Sequence, residues 1–295
     1  MMREARPTDP TSKDSLSVAG ARRLAGRRRV VHNWAVTAWA VTALFCATVS
    51  ATPIQADTAS DPQFKLLAPT PYEATYQARS HGMRTDAYRY LRTEDHEVFE
   101  VSHGLSVSML GANLISVEET SQFRWQDRGA IPLWYTYDQG GVRRRHEHIT
   151  FDWSTDTAHV ETGRGEYQTA IFPGALDNLS FSAQMSAELH SRRSRGEEPM
   201  AVDQVLTFQI VDGDEIDEHI YRIASYETID TLMGELNTVK LERVRDPESR
   251  RSTEIWLAPA YEFVLARLVQ TESGGSRTEL VLKSFAQTLP LATAD

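Results

Sequence analysis

Apolar and polar side chains alternate along residues 143–162, and this period-2 pattern constrains the fold more than any other feature of the chain. Such alternation is typical of a β-hairpin that buries one face of an antiparallel sheet and exposes the other. With the turn placed at 155–156, Phe151 pairs with Val160 on the apolar face. The other face then carries histidine, threonine and acidic side chains.

The same pattern recurs through most of the chain beyond residue 70, with turn residues between the runs. Only residues 173–189 place apolar side chains at helical spacing, and Asp177 is positioned to cap that helix. The charged segment 191–199 is predicted to be a flexible connection. The predicted fold is therefore mainly β, a long curled antiparallel sheet or open barrel with one packed helix. The predicted strands are 72–76, 87–91, 98–101, 114–117, 131–137, 205–211, 219–226, 238–244, 253–257, 264–270 and 278–285.

A highly charged stretch, residues 238–259, follows the same rule. Val239 and Leu241 point to the buried face, whereas Trp256 is predicted on the opposite face. Pro259 ends the second strand because its nitrogen cannot donate to the ladder of hydrogen bonds. These charges are thus predicted to form a solvated sheet face and not a binding motif.

The first 56 residues have a different composition from the rest. They hold 8 Lys or Arg and 3 Asp or Glu, whereas the remaining 239 residues hold 23 and 38. A basic cluster, the uncharged run 34–51 and small residues after it predict a secretory signal peptide cleaved near Ala51 or Ala56. The alternative is an uncleaved membrane anchor, for which about 18 residues is short of the roughly 20 that a bilayer requires.

The chain is therefore expected to comprise a signal peptide (1–56), a linker (57–70), a single β-rich domain (71–287) and a C-terminal tail (288–295). Cys46 is the single cysteine and lies in the leader, so the mature domain is predicted to have neither a disulfide nor a thiolate nucleophile. The expected location is the periplasm of a Gram-negative-type envelope. An inner-membrane-anchored protein that faces the periplasm is the alternative.

Beyond the leader the net charge is −15, because 38 acidic residues outnumber 23 basic ones. Nucleic acids and anionic membrane surfaces both require a cationic footprint, so neither is an expected partner of the mature domain. No cofactor is predicted.

Several short segments follow one another in a characteristic order and spacing. They are the aromatic strand with its double glycine (134–141), HITFDW (148–153), PGALDNLS (173–180), TVKLERV (238–244), WLAP (256–259) and FVLARL (263–268). Together they resemble a bacterial envelope family known as domain of unknown function 3108. The resemblance covers residues 71–285 and departs from the family at Leu265, where a proline is common. It implies an exported β-rich protein, and it implies no established activity, ligand or site.

His146 and His148 lie on one face of the predicted hairpin, at a spacing that can chelate a transition metal. The predicted register places His159 opposite Asp152, roughly 13 Å along the strand from His148. A third ligand is therefore missing, and no metal site is predicted, with His146 and His148 kept as candidates.

No residue is predicted to be catalytic. The candidates for an enzyme that acts through paired carboxylates are Asp152 and Glu161, which lie diagonally across the hairpin, and Glu254, which lies beside Trp256. With 38 acidic residues beyond the leader, such pairs are also expected by chance.

Large aromatic side chains recur on several predicted strands. If the sheet curls, they can line a concave cavity for a lipid, a glycan or a peptide, although large aromatics usually fill cores. The candidate ligand-binding residues are Trp125, Trp134, Tyr137, Trp153 and Trp256.

Three functions follow from these patterns. The first is a non-catalytic periplasmic binding or envelope-maintenance protein whose partner is a lipid, a glycan or an envelope protein. The second is a carboxylate-dependent enzyme that acts on envelope polysaccharide. The third is a membrane-anchored structural scaffold.

Overall fold

The computed structural model describes residues 65–95, 97–109, 112–141 and 144–288. The predicted signal peptide, residues 57–64 of the linker and residues 289–295 of the tail lie outside the described residues. Helix α1 spans Ser180–Ser194, and a short 3-10 turn spans Pro259–Tyr261. The strands are β1 (Tyr72–Ser80), β2 (Met83–Asp95), β3 (Val98–Met109), β4 (Ala112–Gln126), β5 (Gly129–Gly141), β6 (Arg145–Asp152), β7 (Thr157–Thr162), β8 (Gly165–Ala170), β9 (Ala175–Leu176), β10 (Val205–Asp212), β11 (Glu215–Thr231), β12 (Gly234–Val244), β13 (Ser252–Ala258), β14 (Val264–Thr271) and β15 (Arg277–Gln287).

These strands form one sheet in which almost every strand pairs with its neighbour in sequence. Strand β1 also pairs with β15, so the first and last strands meet in the middle of the sheet, and β8 and β9 are its edges. All pairs are antiparallel except the short pair of β9 with β10. The edges do not pair with each other, and the mainly β, open, barrel-like sheet with one helix agrees with the prediction.

The two halves of the sheet nevertheless approach each other. The Thr169 hydroxyl of β8 donates a hydrogen bond of 3.1 Å to the Gly213 carbonyl, in the turn between β10 and β11. Helix α1 contacts β5 on one side and β10 on the other. We call the sheet face that contacts α1 the inner face, and the opposite face the outer face.

The main core lies between the inner face and α1. Phe181 of α1 is fully buried, and its ring lies 5.9 Å from the rings of Phe208 and Tyr221. Met185 and Leu189 follow at four-residue intervals and are also buried, as the helical spacing in the sequence predicts.

The helix starts and ends later than the sequence suggests. Asp177 does cap it, since its Oδ1 accepts hydrogen bonds of 2.8 Å from the backbone N–H groups of Leu179 and Ser180. The helix continues to Ser194, so the prediction of a flexible connection from residue 191 was wrong for its first four residues. The reason is tertiary, because Ser191 is fully buried and accepts a hydrogen bond from the backbone of Leu67.

The hairpin of β6 and β7 has the predicted faces but a different register. Phe151 pairs with Ala158 and not with Val160, so the predicted register was wrong by two residues. The connection comprises residues 153–156, and it is shaped by Asp152, whose Oδ1 accepts hydrogen bonds from the backbone and hydroxyl of Ser154. A two-residue shift keeps every side chain on its predicted face, because the side-chain period of a strand is two.

The outer face carries a second, smaller apolar cluster around Trp256. As predicted, Ile255 and Leu257 face inward and Trp256 faces the other way. Its ring is covered by the charged ends of Lys240 and Arg267, which lie 5.1 and 5.0 Å from the ring centre.

Within the described ranges, no helix is long and apolar enough to cross a membrane.

Candidate functional site

A row of polar side chains crosses the inner face of five adjacent strands. Each member pairs with the next across the sheet, in the order Arg89 (β2), His103 (β3), Glu119 (β4), Tyr137 (β5) and Glu147 (β6). We call these residues the polar row. Because inner-face positions of this sheet are otherwise mostly apolar, a continuous polar row requires an explanation.

Glu119, at the centre of the polar row, is only 1% exposed. Its Oε1 lies 3.8 Å from Nε2 of His103, and its Oε2 has no hydrogen-bond partner among the described residues. Burial raises the pKa of Glu119 to about 8, and burial lowers the pKa of His103 to about 3. At neutral pH, therefore, both groups are mostly uncharged.

Glu147 forms the other end of the polar row. It is 5% exposed, its Oε2 lies 3.6 Å from Arg145, and its Oε1 has no hydrogen-bond partner in the part of the chain described. Its carboxylate faces the backbone amide of Gly213, so it belongs to the region where the halves of the sheet approach each other. Burial raises its pKa, and burial likewise raises the pKa of the neighbouring Asp212 to about 7.

Further buried polar atoms without partners lie on β11 and just after β12. Nine side-chain nitrogen or oxygen atoms of the described residues are buried without a hydrogen bond, and five of them belong to Glu147 or to these two segments. Asp212 interacts electrostatically with Glu147 and Asp217, and Arg243 interacts with Asp217, His219 and Tyr221, so the residues form a series that runs along β11. We call the five residues the mouth cluster, and they are Glu147, Asp217, His219, Tyr221 and Arg245.

The mouth cluster presents a mixture of hydrogen-bond donors and acceptors. Burial lowers the pKa of His219 to about 2 and raises that of Tyr221 to about 12, so both are neutral at pH 7. Burial, together with the neighbouring Arg243, lowers the pKa of Arg245 to about 10, which leaves its guanidinium charged. Burial raises the pKa of Asp217, whose carboxyl lies near that guanidinium.

Other side chains of the inner polar network have structural partners. Arg89 donates to the hydroxyls of Tyr72 and Ser182, and Ser121 donates a hydrogen bond of 2.7 Å to Asp177, the helix cap. These bonds fasten α1 to the sheet. The five atoms of the mouth cluster have no hydrogen-bond partner within the described residues, and the same holds for Oε2 of Glu119 and Nδ1 of His103.

The predicted aromatic residues do not line one common cavity. Trp125 and Tyr137 are buried on the inner face, and Trp153 lies at its margin, where its Nε1 donates a hydrogen bond of 2.6 Å to the Pro132 carbonyl. Trp134 lies on the outer face and donates to Gln122, and Trp256 lies on the outer face of the other half.

The three candidate catalytic carboxylates are also apart. Asp152 and Glu161 are separated by four pairing positions of the hairpin, roughly 13 Å. Hydrogen bonds from Ser154 lower the pKa of Asp152 to about 2, which makes it a turn residue and a poor general acid. Glu254 lies on β13 and forms an ion pair of 2.5 Å with Lys240.

The candidate metal ligands are closer to a third histidine than the predicted register allows. In the observed register His159 lies opposite Thr150, whose hydroxyl is 3.1 Å from Nε2 of His148. His146 is exposed at the start of β6. Across the described ranges, no three His, Cys, Asp or Glu side chains are placed to hold a metal ion.

Sequence reasoning overlooked most of the polar row and the mouth cluster, although part of the signal was present. Glu147 is two residues from Ile149, and Glu119 is two residues from Val117. Because side chains two apart in a strand point to the same face, the alternation predicts that both carboxyls point to the apolar, inner face. The approach of Glu147 to the turn at Gly213 has no counterpart in the sequence, because it joins segments 66 residues apart.

Comparison with solved structures finds several proteins of low sequence identity to this chain. A crystal structure of a β-barrel-like protein of domain of unknown function DUF1849 from Brucella abortus is 10% identical, with 75% of this chain and 98% of that chain covered and a TM-score of 0.48. The MucA/MucB complex of Pseudomonas aeruginosa is 10% identical, with 77% and 54% covered and a TM-score of 0.34. A proposed exported protein with a YmcC-like fold from Bacteroides fragilis is 12% identical, with 76% and 99% covered and a TM-score of 0.34.

No curated protein matches the chain. A family model described as "Protein of unknown function (DUF3108)" matches residues 71–282, which is well over half of the chain and agrees with the resemblance found in the sequence. The chain therefore belongs to the DUF3108 family.

Proposed function

We propose that this protein is a non-catalytic binding protein of the bacterial envelope and that its mouth cluster holds an uncharged, hydroxyl-rich ligand of the glycan type. The observation that supports this most directly is the series of five unpartnered buried polar atoms on Glu147, on β11 and just after β12.

An unpartnered buried polar atom costs about 1–3 kcal/mol, so five of them in one part of the fold favour a ligand or ordered water that completes their hydrogen bonds. The cluster offers donors, such as Nε of Arg245, and acceptors, such as Oε1 of Glu147. A sugar hydroxyl both donates and accepts, so it matches such a mixture. Two of the groups, His219 and Tyr221, are neutral, and the cluster combines one guanidinium with two carboxyls, which favours an uncharged ligand over an ion of either sign.

The five residues differ in exposure. Glu147, His219 and Tyr221 are buried, whereas Asp217 and Arg245 are partly exposed, so a ligand would approach the buried groups from the side of Asp217 and Arg245. The Tyr221 ring is fully buried and packs on Phe181 at 5.9 Å, so its hydroxyl is the part of Tyr221 that a ligand would contact.

The proposed location rests on the leader. A basic segment followed by an apolar run and small residues supports export and cleavage near Ala51 or Ala56. The intact mass of the protein isolated from cells tests this, because cleavage removes the apolar run 34–51. A mass that includes that run would instead favour the membrane-anchored scaffold.

The binding proposal is tested by calorimetry with soluble envelope oligosaccharides, and by native mass spectrometry of protein isolated from its own cells. We expect Tyr221→Phe to weaken glycan binding about tenfold, as the loss of one hydrogen bond predicts. The matched control is Tyr226→Phe on the same strand, whose hydroxyl lies outside the cluster and donates to the Met200 carbonyl. Binding should be unchanged in this control.

Tyr221→Phe has a second expected effect. Because it removes a buried hydroxyl without a partner, the ligand-free variant should be at least as stable as the natural protein in urea unfolding. Lower stability without a change in binding would mean that the hydroxyl is structural. Recovery of a bound acyl lipid or of an envelope protein, with no glycan binding, would contradict the glycan assignment.

A further inference from the structure

Arg89, at the opposite end of the polar row from the mouth cluster, is a partly buried cation without a carboxylate partner. Its Nε donates a hydrogen bond of 2.9 Å to the Tyr72 hydroxyl, and its Nη2 donates one of 2.5 Å to the Ser182 hydroxyl. Both partners are neutral. No carboxylate of the described residues lies within ion-pair distance of it.

Glu119 interacts electrostatically with Arg89, but it is not a full counter-charge at neutral pH. Burial raises the pKa of Glu119 to about 8, so at neutral pH it is mostly protonated, although Arg89 lies close enough to oppose that shift. A guanidinium removed from water without a counter-charge is unfavourable unless an anion compensates it.

Arg89 also lines a pocket between α1 and the central strands. The pocket has a volume of about 40 Å³, which is room for roughly three water-sized groups. Three of the five N–H groups of Arg89 have no protein partner among the described residues, and a guanidinium fork matches a carboxylate in two hydrogen bonds. The space therefore suits a carboxylate head group and the first carbon attached to it.

Much of the remaining wall of the pocket is apolar and aromatic. The rings of Tyr72 and Phe285, and those of Phe285 and Tyr261, pack at tilted angles with centres 5.6 and 4.9 Å apart, and Leu91 and Ala187 also line the pocket. The lining also contains the carboxylate of Glu262, which accepts a hydrogen bond of 2.9 Å from Gln287. A carboxylate repels an anion, so an anionic ligand must place its charge at Arg89 and away from Glu262.

We propose that this pocket binds the carboxylate of a small amphiphilic acid at Arg89, and that the apolar stem of the acid extends out of the enclosed space along the partly exposed rings of Tyr72, Phe285 and Tyr261. The site is separate from the mouth cluster, because Arg89 and Glu147 are four strand spacings apart in the polar row, roughly 19 Å. It does not depend on glycan binding.

The experiment is titration of the full protein by calorimetry with hexanoate as the probe. Hexanol has the same stem without the charge, whereas acetate and inorganic phosphate are anions without the stem. We expect hexanoate to bind at least tenfold more tightly than any of the three. Equal binding of hexanol would overturn the role of Arg89, and equal binding of acetate or phosphate would overturn the role of the aromatic wall.

Variants assign the binding to the pocket. Arg89→Gln should weaken hexanoate binding tenfold or more, and Arg89→Lys should recover part of it. The matched control Arg124→Gln removes an exposed outer-face arginine and should leave binding unchanged. Unchanged affinity in Arg89→Gln, or no hexanoate binding by the natural protein at millimolar concentration, would overturn the proposal.

Because Arg89 also fastens α1 to the sheet, its replacement can affect folding. A second variant, Ala187→Leu, fills the pocket from the helix side and leaves Arg89 and its hydrogen bonds in place. This variant should keep the circular dichroism spectrum of the natural protein and should lose hexanoate binding. Retained binding would contradict this location of the site. Tyr221→Phe should bind hexanoate normally, which separates this test from that of the glycan.

Discussion

At the residue scale, Glu119 shows how a buried carboxyl couples stability to pH. Its pKa is 4.5 when unperturbed and about 8 in the folded protein, because burial disfavours the charged form. Between these values the folded state binds more protons than the unfolded state. The free energy of unfolding therefore falls as the pH rises from about 4.5 to about 8. Above that range the ionised, buried carboxylate destabilises the folded state by its full amount.

Glu119→Gln should remove this contribution, because the amide keeps the shape of the protonated acid and cannot ionise. We expect the free energy of unfolding of the variant to rise relative to that of the natural protein as the pH rises. Above pH 8 the difference should be on the order of a few kcal/mol. Urea unfolding between pH 4 and pH 9 measures it. The control is Glu118→Gln, the exposed neighbour on the outer face, and parallel pH profiles for Glu119→Gln and the natural protein would contradict the shift.

Also at the residue scale, the sheet face to which a side chain points could be predicted from the sequence, whereas its neighbours on that face could not. Trp256 was correctly predicted to face away from Ile255 and Leu257. That it lies between Lys240 and Arg267 depends on which strands are neighbours. Alternation specifies a face, and sheet order specifies what else occupies that face.

At the scale of the element, α1 is defined as much by its contacts as by its own sequence. The spacing of its apolar residues and the cap at Asp177 were evident beforehand. Its last turn was not, because the burial of Ser191 against the segment at Leu67 extends it into a stretch whose composition suggests a loop. Tertiary burial overrides local preference there.

Asp177 links the helix to the sheet as well as capping the helix. Its loss should therefore destabilise the protein more than the loss of an ordinary helix cap does. Asp177→Ala removes two hydrogen bonds to the helix terminus and leaves the buried hydroxyl of Ser121 without its acceptor. We expect a loss of about 2–4 kcal/mol in the free energy of unfolding, measured in urea.

Ser121→Ala is the control for that prediction. It removes only the bond to the sheet, keeps the cap, and should cost about 1 kcal/mol. Equal losses for the two variants would mean that the helix cap itself contributes little.

The hairpin of β6 and β7 shows the limit of sequence at this scale. Its alternation specifies the two faces, but a turn at 155–156 and the observed connection at 153–156 both satisfy that alternation. The hydrogen bonds that Asp152 accepts from Ser154 select the second, and they fix which polar residues become neighbours.

At the scale of the whole molecule, the pairing of β1 with β15 places the first and last strands in the centre of the sheet. Strand β8 forms an edge, where half of the backbone groups have no neighbouring strand. Opening of an edge disrupts one pairing, whereas opening of the centre disrupts two.

Amide hydrogen exchange should therefore be slowest in β1 and β15. It should be fastest in the edge strand β8, when the two-residue strand β9 is left out of the comparison. Exchange followed by mass spectrometry of peptides from each strand measures this order. The pairing of β2 with β3 serves as an internal reference of intermediate protection. Faster exchange in β1 than in β8 would contradict the central position of the β1–β15 pair.

The sequence by itself determined the class of the fold, the faces of most strands, the presence of one capped helix and the family, because these depend on local alternation, spacing and turn chemistry. Only the tertiary structure decided that Glu147 meets the turn at Gly213, that Arg89 has no carboxylate within ion-pair distance among the described residues, and that Trp256 lies between Lys240 and Arg267. The physical reason is range: alternation acts between residues two apart, whereas desolvation and unmet hydrogen bonds arise from strands brought together over many tens of residues.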